Sequence, residues 1–380
     1  MSNHPPAKLA RLSDHHNAKW RNPAQVLALW EQADKINPDL LSHKVRGGWW
    51  DLLARLDITL LVTREYEHLV LALRADRQHG GAVSYLPVPH PSGIAVDRRR
   101  GIVHLASTRN PNSIVALRPL RGFLAPMRCQ FLPGSLRLHD LAMIGGRLHG
   151  NAVGQNAIVE LHDDGRYERV WWPKCIASAG KSGFACNYLQ LNSIAAGANM
   201  AGSYFSASTD KPGARRPGHR NFAVDGRGVI FSGKTRQPIV RGLTRPHSAR
   251  LHRGQLWVDN SGYGQLGIAR DGRFEPVATL PGWTRGLCLH KGVAFVGVSR
   301  VIPRYAVYAP GLEVDEATCG VHAVDAASGK LLGSITWPSG NQIFAVEWVP
   351  RSFTGGFPSW GRPGATDLFY AFETRADREQ

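Results

Sequence analysis

One short pattern runs through this chain five times and begins a sixth. A strand opening on a small or polar pair is followed by a turn and a second strand. The copies start at Ser92-Gly93-Ile94, His139-Asp140-Leu141, Asn192-Ser193-Ile194, His247-Ser248-Ala249 and Arg285-Gly286-Leu287, and the last, incomplete one at Phe344-Ala345-Val346. The second strands fall at 102–107, 148–152, 204–208, 256–261 and 293–299. Third and fourth strands follow in most copies, for example 265–269 and 275–280, then 320–325 and 331–337. Four short strands per repeat make one propeller blade.

The ends of the pattern complete each other. Residues 58–88 supply a second, third and fourth strand without a first, and the copy at Phe344 supplies a first strand alone. The expected fold is therefore all-β: a six-bladed β-propeller closed by one C-terminal strand, which also removes open sheet edges. The expected organisation is a polar tail and helical extension over 1–57, the propeller over 58–350 and a polar tail over 351–380. In the extension, Asn22-Pro23 reads as a helix start, with Val26, Leu29, Trp30 and Ala33 at helical spacing. Trp49, Trp50, Leu52, Leu53 and Leu56 predict a second short helix.

The repeat intervals of 47, 53, 55, 38 and 59 residues differ through insertions at 174–190, 209–220 and 300–318. Long insertions on a rigid scaffold are common sites of function.

The stretches Arg245-Pro246-His247-Ser248, Gln255 to Gly262 (QLWVDNSG) and Leu280 to Leu287 (LPGWTRGL) carry a likeness. So do Ala294 to Arg300 (AFVGVSR), Cys319-Gly320-Val321 and Ile343 to Val346 (IFAV). In these residues the chain resembles the bacterial family called domain of unknown function 4915, over roughly residues 50–350. The resemblance implies a propeller-like domain and no particular reaction. The Arg-rich stretch Ala214–Arg220 and residues 226–236 depart from the family pattern.

First strands line the axis of a propeller, so equivalent positions form a ring: Ser92, His139, Asn192, His247, Arg285 and Phe344. Two chemistries suit it. His139 and His247 could hold one divalent metal ion, with Asn192 and a carboxylate from Asp140 or Asp259, and polarise a carbonyl or activate water. Alternatively, Arg285 could clamp an anion while His139 or His247 acts as acid or base. A purely structural reading has the histidines capping backbone groups and Arg285 filling the channel. Asn260 and Arg300, near the ends of second strands, are candidate substrate-binding residues beside Asn192. Arg64 and Glu65 read as a surface pair.

Other signals are weaker. Residues Gly228 to Thr235 match a phosphate-loop spacing, but Val229 to Ser232 read as a strand and Pro238 opposes the helix that should follow. The net charge of +17 invites nucleic acid, yet its arginines are scattered over loops and no nucleic-acid motif accompanies them. No apolar run of about 18 residues exists and the N-terminus has no apolar h-region. The five cysteines form no C-x-x-C pair, as suits reduced thiols. The expectation is a cytoplasmic enzyme or binder, with no membrane partner. It acts on a polar or anionic small molecule or acidic peptide at the axial channel, by acid/base or metal-assisted hydrolase, lyase or peptide-modifying chemistry. The alternative is a non-catalytic protein-interaction scaffold that uses the insertions.

Overall fold

The computed structural model describes residues 36–75, 80–109, 112–219 and 221–358. Its sheets form the six-bladed propeller that the repeat predicts. Blade 1 joins the inner strand Ala345–Pro350 to Ile58–Arg64, Leu69–Arg74 and Ala82–Pro87. The inner strands of blades 2 to 6 are Pro91–Asp97, Leu138–Ile144, Leu191–Ala195, Pro246–His252 and Trp283–His290. Each packs beside the inner strand of the next blade, and the last returns to Ala345–Pro350. Closure runs antiparallel from Ile58↔Pro350 to Thr63↔Ala345.

Apolar side chains that alternate along the strands meet between neighbouring blades. Leu61 and Val70 of blade 1 share one such layer with Ile94, Leu105 and Val115 of blade 2. Full burial of one such side chain contributes about 1.5–3 kcal/mol.

The predicted helix at Trp49 is present as Trp49–Leu56, and it buries Trp49, Leu52, Leu53 and Leu56 on one face. Trp49 meets Phe295 edge to face at 5.9 Å, so the helix packs on the propeller's flank. Asp57, in the left-handed conformation, ends it. Just before it, Lys44–Gly47 adds a fifth strand to blade 6, paired with Leu331–Thr336. Only glycine suits position 47: its φ is +64° and a Cβ would lie 2.9 Å from the Leu332 carbonyl oxygen. The helix expected from Asn22-Pro23 lies outside the described residues. Beyond the closing strand, Phe357 is buried and its N–H donates to Ser84 Oγ, while Leu124 N–H donates to the Gly356 carbonyl. This stretch, read from sequence as polar tail, is fastened across blades 1 and 2.

Candidate functional site

The inner strands are irregular where they begin. Their register with the second strand shifts at Pro91/Ile94, between Leu138 and Leu141, and at Leu191/Ser193, His247/Arg250 and Thr284/Leu287. Such bulges leave backbone groups outside the ladder and re-aim side chains. Neighbouring blades satisfy those groups. Asp140 Oδ2 accepts from Ile194 N at 2.9 Å, Ser193 Oγ from Ala249 N at 2.8 Å and Ser248 Oγ from Gly286 N at 2.7 Å. Ser92 Oγ donates to the Leu138 carbonyl, and Thr63 Oγ1 to the Ser92 carbonyl.

Of the six expected ring residues, four reach the cavity and Phe344 packs beside them, while Ser92 is fully buried on the Leu138 carbonyl and does not line it. His139 and His247 stack with ring centres 6.1 Å apart, and Phe344 meets both edge to face, at 5.4 and 6.0 Å. Arg285 lies over the Phe344 ring, its Cζ 3.4 Å from the ring centre. His139, Asn192, His247 and Arg285 line a cavity of about 630 Å³. Asn192 also works structurally, donating to the Pro246 carbonyl at 2.9 Å.

A second layer completes the wall. Two residues before each ring position stand His90, Arg137, Gln190, Arg245, Trp283 and Gln342, and all six line the cavity. The first four directly precede the inner strands of blades 2 to 5, with φ between 44° and 54°. Left-handed backbone at a non-glycine residue costs about 1–3 kcal/mol and concentrates at functional sites. Sequence reasoning took one residue per strand and missed this layer. Strand alternation does not announce it, because four of these residues stand just before their strands in left-handed backbone.

Charge in the cavity is one-sided. Among the described residues, Arg109, Arg137, Arg216, Arg245 and Arg285 line it, against one carboxylate, Glu65. Arg245 donates to Gln190 Oε1 at 2.7 Å and lies 4.4 Å from the Tyr308 ring centre. Gln342, its amide turned to satisfy both neighbours, accepts from Arg285 Nη1 at 2.7 Å and donates to Glu65 Oε2 at 3.0 Å. Thr108 donates to the other Glu65 oxygen, which lies 3.8 Å from Arg109 Nε. Burial pushes the Glu65 pKa up, and Arg285, Thr108 and Arg109 oppose that rise.

Both axial histidines are held neutral. Burial first, then the positive charge of Arg285, drives the pKa of each well below its ordinary value of 6.5. Arg245 adds to this at both rings, and Asn192 partly offsets it at His139. Burial, then His68 and Arg109, lowers His90 to about 3. His247 Nδ1 lies 3.2 Å from Ser248 Oγ, and its buried Nε2 has no protein partner among the described residues. A neutral imidazole with a free nitrogen can give or take a proton, and the guanidinium groups beside it can hold an acidic group.

Other expected residues lie elsewhere. Asn260 is buried and both ends of its amide are taken, accepting from Thr244 N at 2.7 Å and donating to the Gln265 side chain at Oε1. Arg300 donates to the Pro338 carbonyl at 2.6 Å. Neither lines the cavity. Asp140 is taken by Arg250, at 2.7 and 3.1 Å, and by the N–H groups of Leu141 and Ile194, so it adds no carboxylate to the ring. Among the described residues, no group of three or more His, Cys, Asp or Glu side chains could hold a metal ion. Arg64 and Glu65 are no surface pair: both are buried, and Arg64 instead faces Glu67 at 3.4 Å. The phosphate-loop match is the buried strand Gly228–Ser232, as its β-branched and aromatic residues imply. The insertions do reach the site: Asn187, Arg216 and Tyr308, one from each, form part of its rim.

A family model described as Domain of unknown function (DUF4915) matches residues 47–355. No curated protein matches the chain. Among solved structures, a chain from a nidogen/laminin complex is 12% identical, with a TM-score of 0.54 over 77% of this chain and 99% of that one. A gluconolactonase from Xanthomonas campestris is 17% identical (TM-score 0.45, 74% and 86% covered). Virginiamycin B lyase from Staphylococcus aureus is 10% identical (TM-score 0.41, 78% and 99% covered). At such identities the likeness to the first is one of fold, and the other two carry no argument.

Proposed function

This chain belongs to the DUF4915 family, and on that footing we propose that its axial cavity binds a small acidic molecule, with His139 and His247 placed to exchange a proton with it. The observation that carries the reading is the five-to-one excess of arginine over carboxylate, among the described residues, around a cavity of about 630 Å³. That volume suits a whole small molecule rather than a lone ion. Two of the arginines, Arg245 and Arg285, are buried, where water screens charge least. The same charge opposes a divalent cation on His139 and His247, so the anion is the better fit to this donor set. The scaffold alternative is weaker, because the insertions it would use are part of the cavity rim. Five free cysteines suit a reducing compartment, and we place the protein in the cytoplasm. No described helix is long and apolar enough to cross a membrane.

Calorimetric titration of the full chain with small carboxylates, small phosphates and neutral polyols of matched size tests the reading. Acidic compounds are expected to bind and the polyols not. Arg285→Gln should weaken acidic binding about tenfold or more, since a hydrogen bond to a charged group is worth about 1.5–3 kcal/mol. Equal binding of polyols and acids, or full affinity in the variant, would refute it.

A further inference from the structure

Asp259 does not line the cavity, yet it stands directly across the ladder from His247. Its side chain is fully buried, and neither carboxyl oxygen has a partner at full hydrogen-bond geometry among the described residues. After burial, the Ser248 hydroxyl is the group that acts on it most strongly, then Arg250. Arg250 is committed to Asp140, at 2.7 and 3.1 Å. Burial wins, and it pushes the Asp259 pKa well above its ordinary 3.8. A buried carboxyl without a strong partner costs far less neutral than charged.

Ser248 sits in the bulge between His247 and Arg250, in left-handed backbone at φ +52°. Its Oγ accepts from Gly286 N at 2.7 Å and lies 3.2 Å from His247 Nδ1. A serine hydroxyl has one hydrogen and two lone pairs. Gly286 takes one lone pair, so the other and the hydrogen remain for His247 and Asp259. A neutral Asp259 brings a hydrogen of its own, and the Ser248 oxygen is the acceptor beside it. The Ser248 hydrogen then goes to His247 Nδ1. The opposite order, Nδ1–H to Oγ and Oγ–H to Asp259, leaves the acid hydrogen buried without an acceptor.

We infer that Asp259, acting through Ser248, is a positioning residue for His247: it keeps the single ring proton on Nε2, the side of the imidazole away from Ser248. His247 is neutral, so it carries one ring proton and its place decides what the ring offers. Nε2 has no partner among the described residues, and His247 lines the cavity. The role this gives the ring rests on the acidic-ligand reading above: His247 meets an acidic group as a hydrogen donor. The place of the proton does not depend on that reading.

The test reads the ligand-free full chain at pH 7, with isotope-labelled histidine. Long-range proton–nitrogen correlation spectra tell Nε2–H from Nδ1–H, and His247→Gln identifies the His247 signals. The parent is expected to show one tautomer, Nε2–H, with Nδ1 a hydrogen-bonded acceptor. Its infrared spectrum should hold the carbonyl band of a protonated carboxyl group that Asp259→Asn lacks. Asp259→Asn, whose amide N–H also donates to Ser248, should keep the tautomer. Asp259→Leu should show a mixture of the two, because the Ser248 hydrogen can then turn either way. Melting temperatures check folding. An Nδ1–H tautomer in the parent, absence of the acid band, or an unchanged tautomer in a folded Asp259→Leu overturns the inference and leaves the acidic-ligand reading standing. If Asp259→Leu does not fold, the parent's tautomer and acid band decide. If small acids fail to bind while the proton is on Nε2, that reading falls and the place of the proton stands.

Discussion

The Arg285 guanidinium sits over the face of Phe344, a residue that stands 59 positions later in the sequence and directly precedes the strand that closes the ring. The two come from adjacent blades, and the Phe344 ring also stands perpendicular to both axial histidines. The ring therefore fixes the height of the cation while leaving the guanidinium rim to hydrogen-bond.

Phe344→Leu keeps the apolar volume and removes the platform. A cation–π contact is worth about 0.5–2 kcal/mol, so affinity for whichever small carboxylate or phosphate binds best should fall about 2- to 30-fold. Phe344→Tyr, which keeps a ring, should recover most of it. Titration calorimetry reads both, and an unchanged affinity in Phe344→Leu would reduce the residue to a space-filler.

Thr63 joins three strands. Its hydroxyl donates to the Ser92 carbonyl at 2.7 Å and accepts from Ala345 N at 2.9 Å. Thr63→Val preserves the shape and strands a buried carbonyl and a buried N–H. Each unsatisfied buried group costs about 1–3 kcal/mol, and a loss of roughly 2–4 kcal/mol in urea unfolding is expected. A loss below half a kcal/mol would show that water or backbone shifts replace the hydroxyl.

His322, in the third strand of blade 6, is buried with no hydrogen-bond partner on either ring nitrogen among the described residues, and burial lowers its pKa from 6.5 to about 4. A lowered histidine pKa means that the unfolded chain binds the proton more readily. Stability from this group is whole above pH 6.5 and drains away as pH falls toward 4. The expected loss is about 2 kcal/mol at pH 5. His322→Leu removes that dependence, so relative to the parent it should gain stability between pH 7 and pH 5. Parallel melting curves for the two proteins across that range would contradict this.

The ring was legible because propeller repeats translate rotation into sequence spacing. Once first strands were recognised, His139, His247 and Arg285 had to meet. Their neighbours Arg137 and Arg245 obey the same rule two residues earlier, but they precede the regular strand, in left-handed backbone that no alternation pattern announces. Glu65 was hidden for a different reason. It stands just after the second strand of blade 1, and only the closing strand brings Gln342 across to it. Asn260 and Arg300 misled because polar residues at strand ends serve two masters. Here the backbone claimed both.

Ring closure by Ala345–Pro350 also sets a clock. Gln342 and Phe344, which brace Arg285, reach their places only when that strand docks onto Ile58–Arg64. Contacts spanning so much of a chain form late and slowly. During synthesis the early blades can take shape at the ribosome while the cavity is still a half-open cup. Ligand capture thus begins as a property of the finished circle, and a chain stalled before residue 342 would carry all five cavity arginines without the Gln342 and Phe344 contacts that hold Arg285.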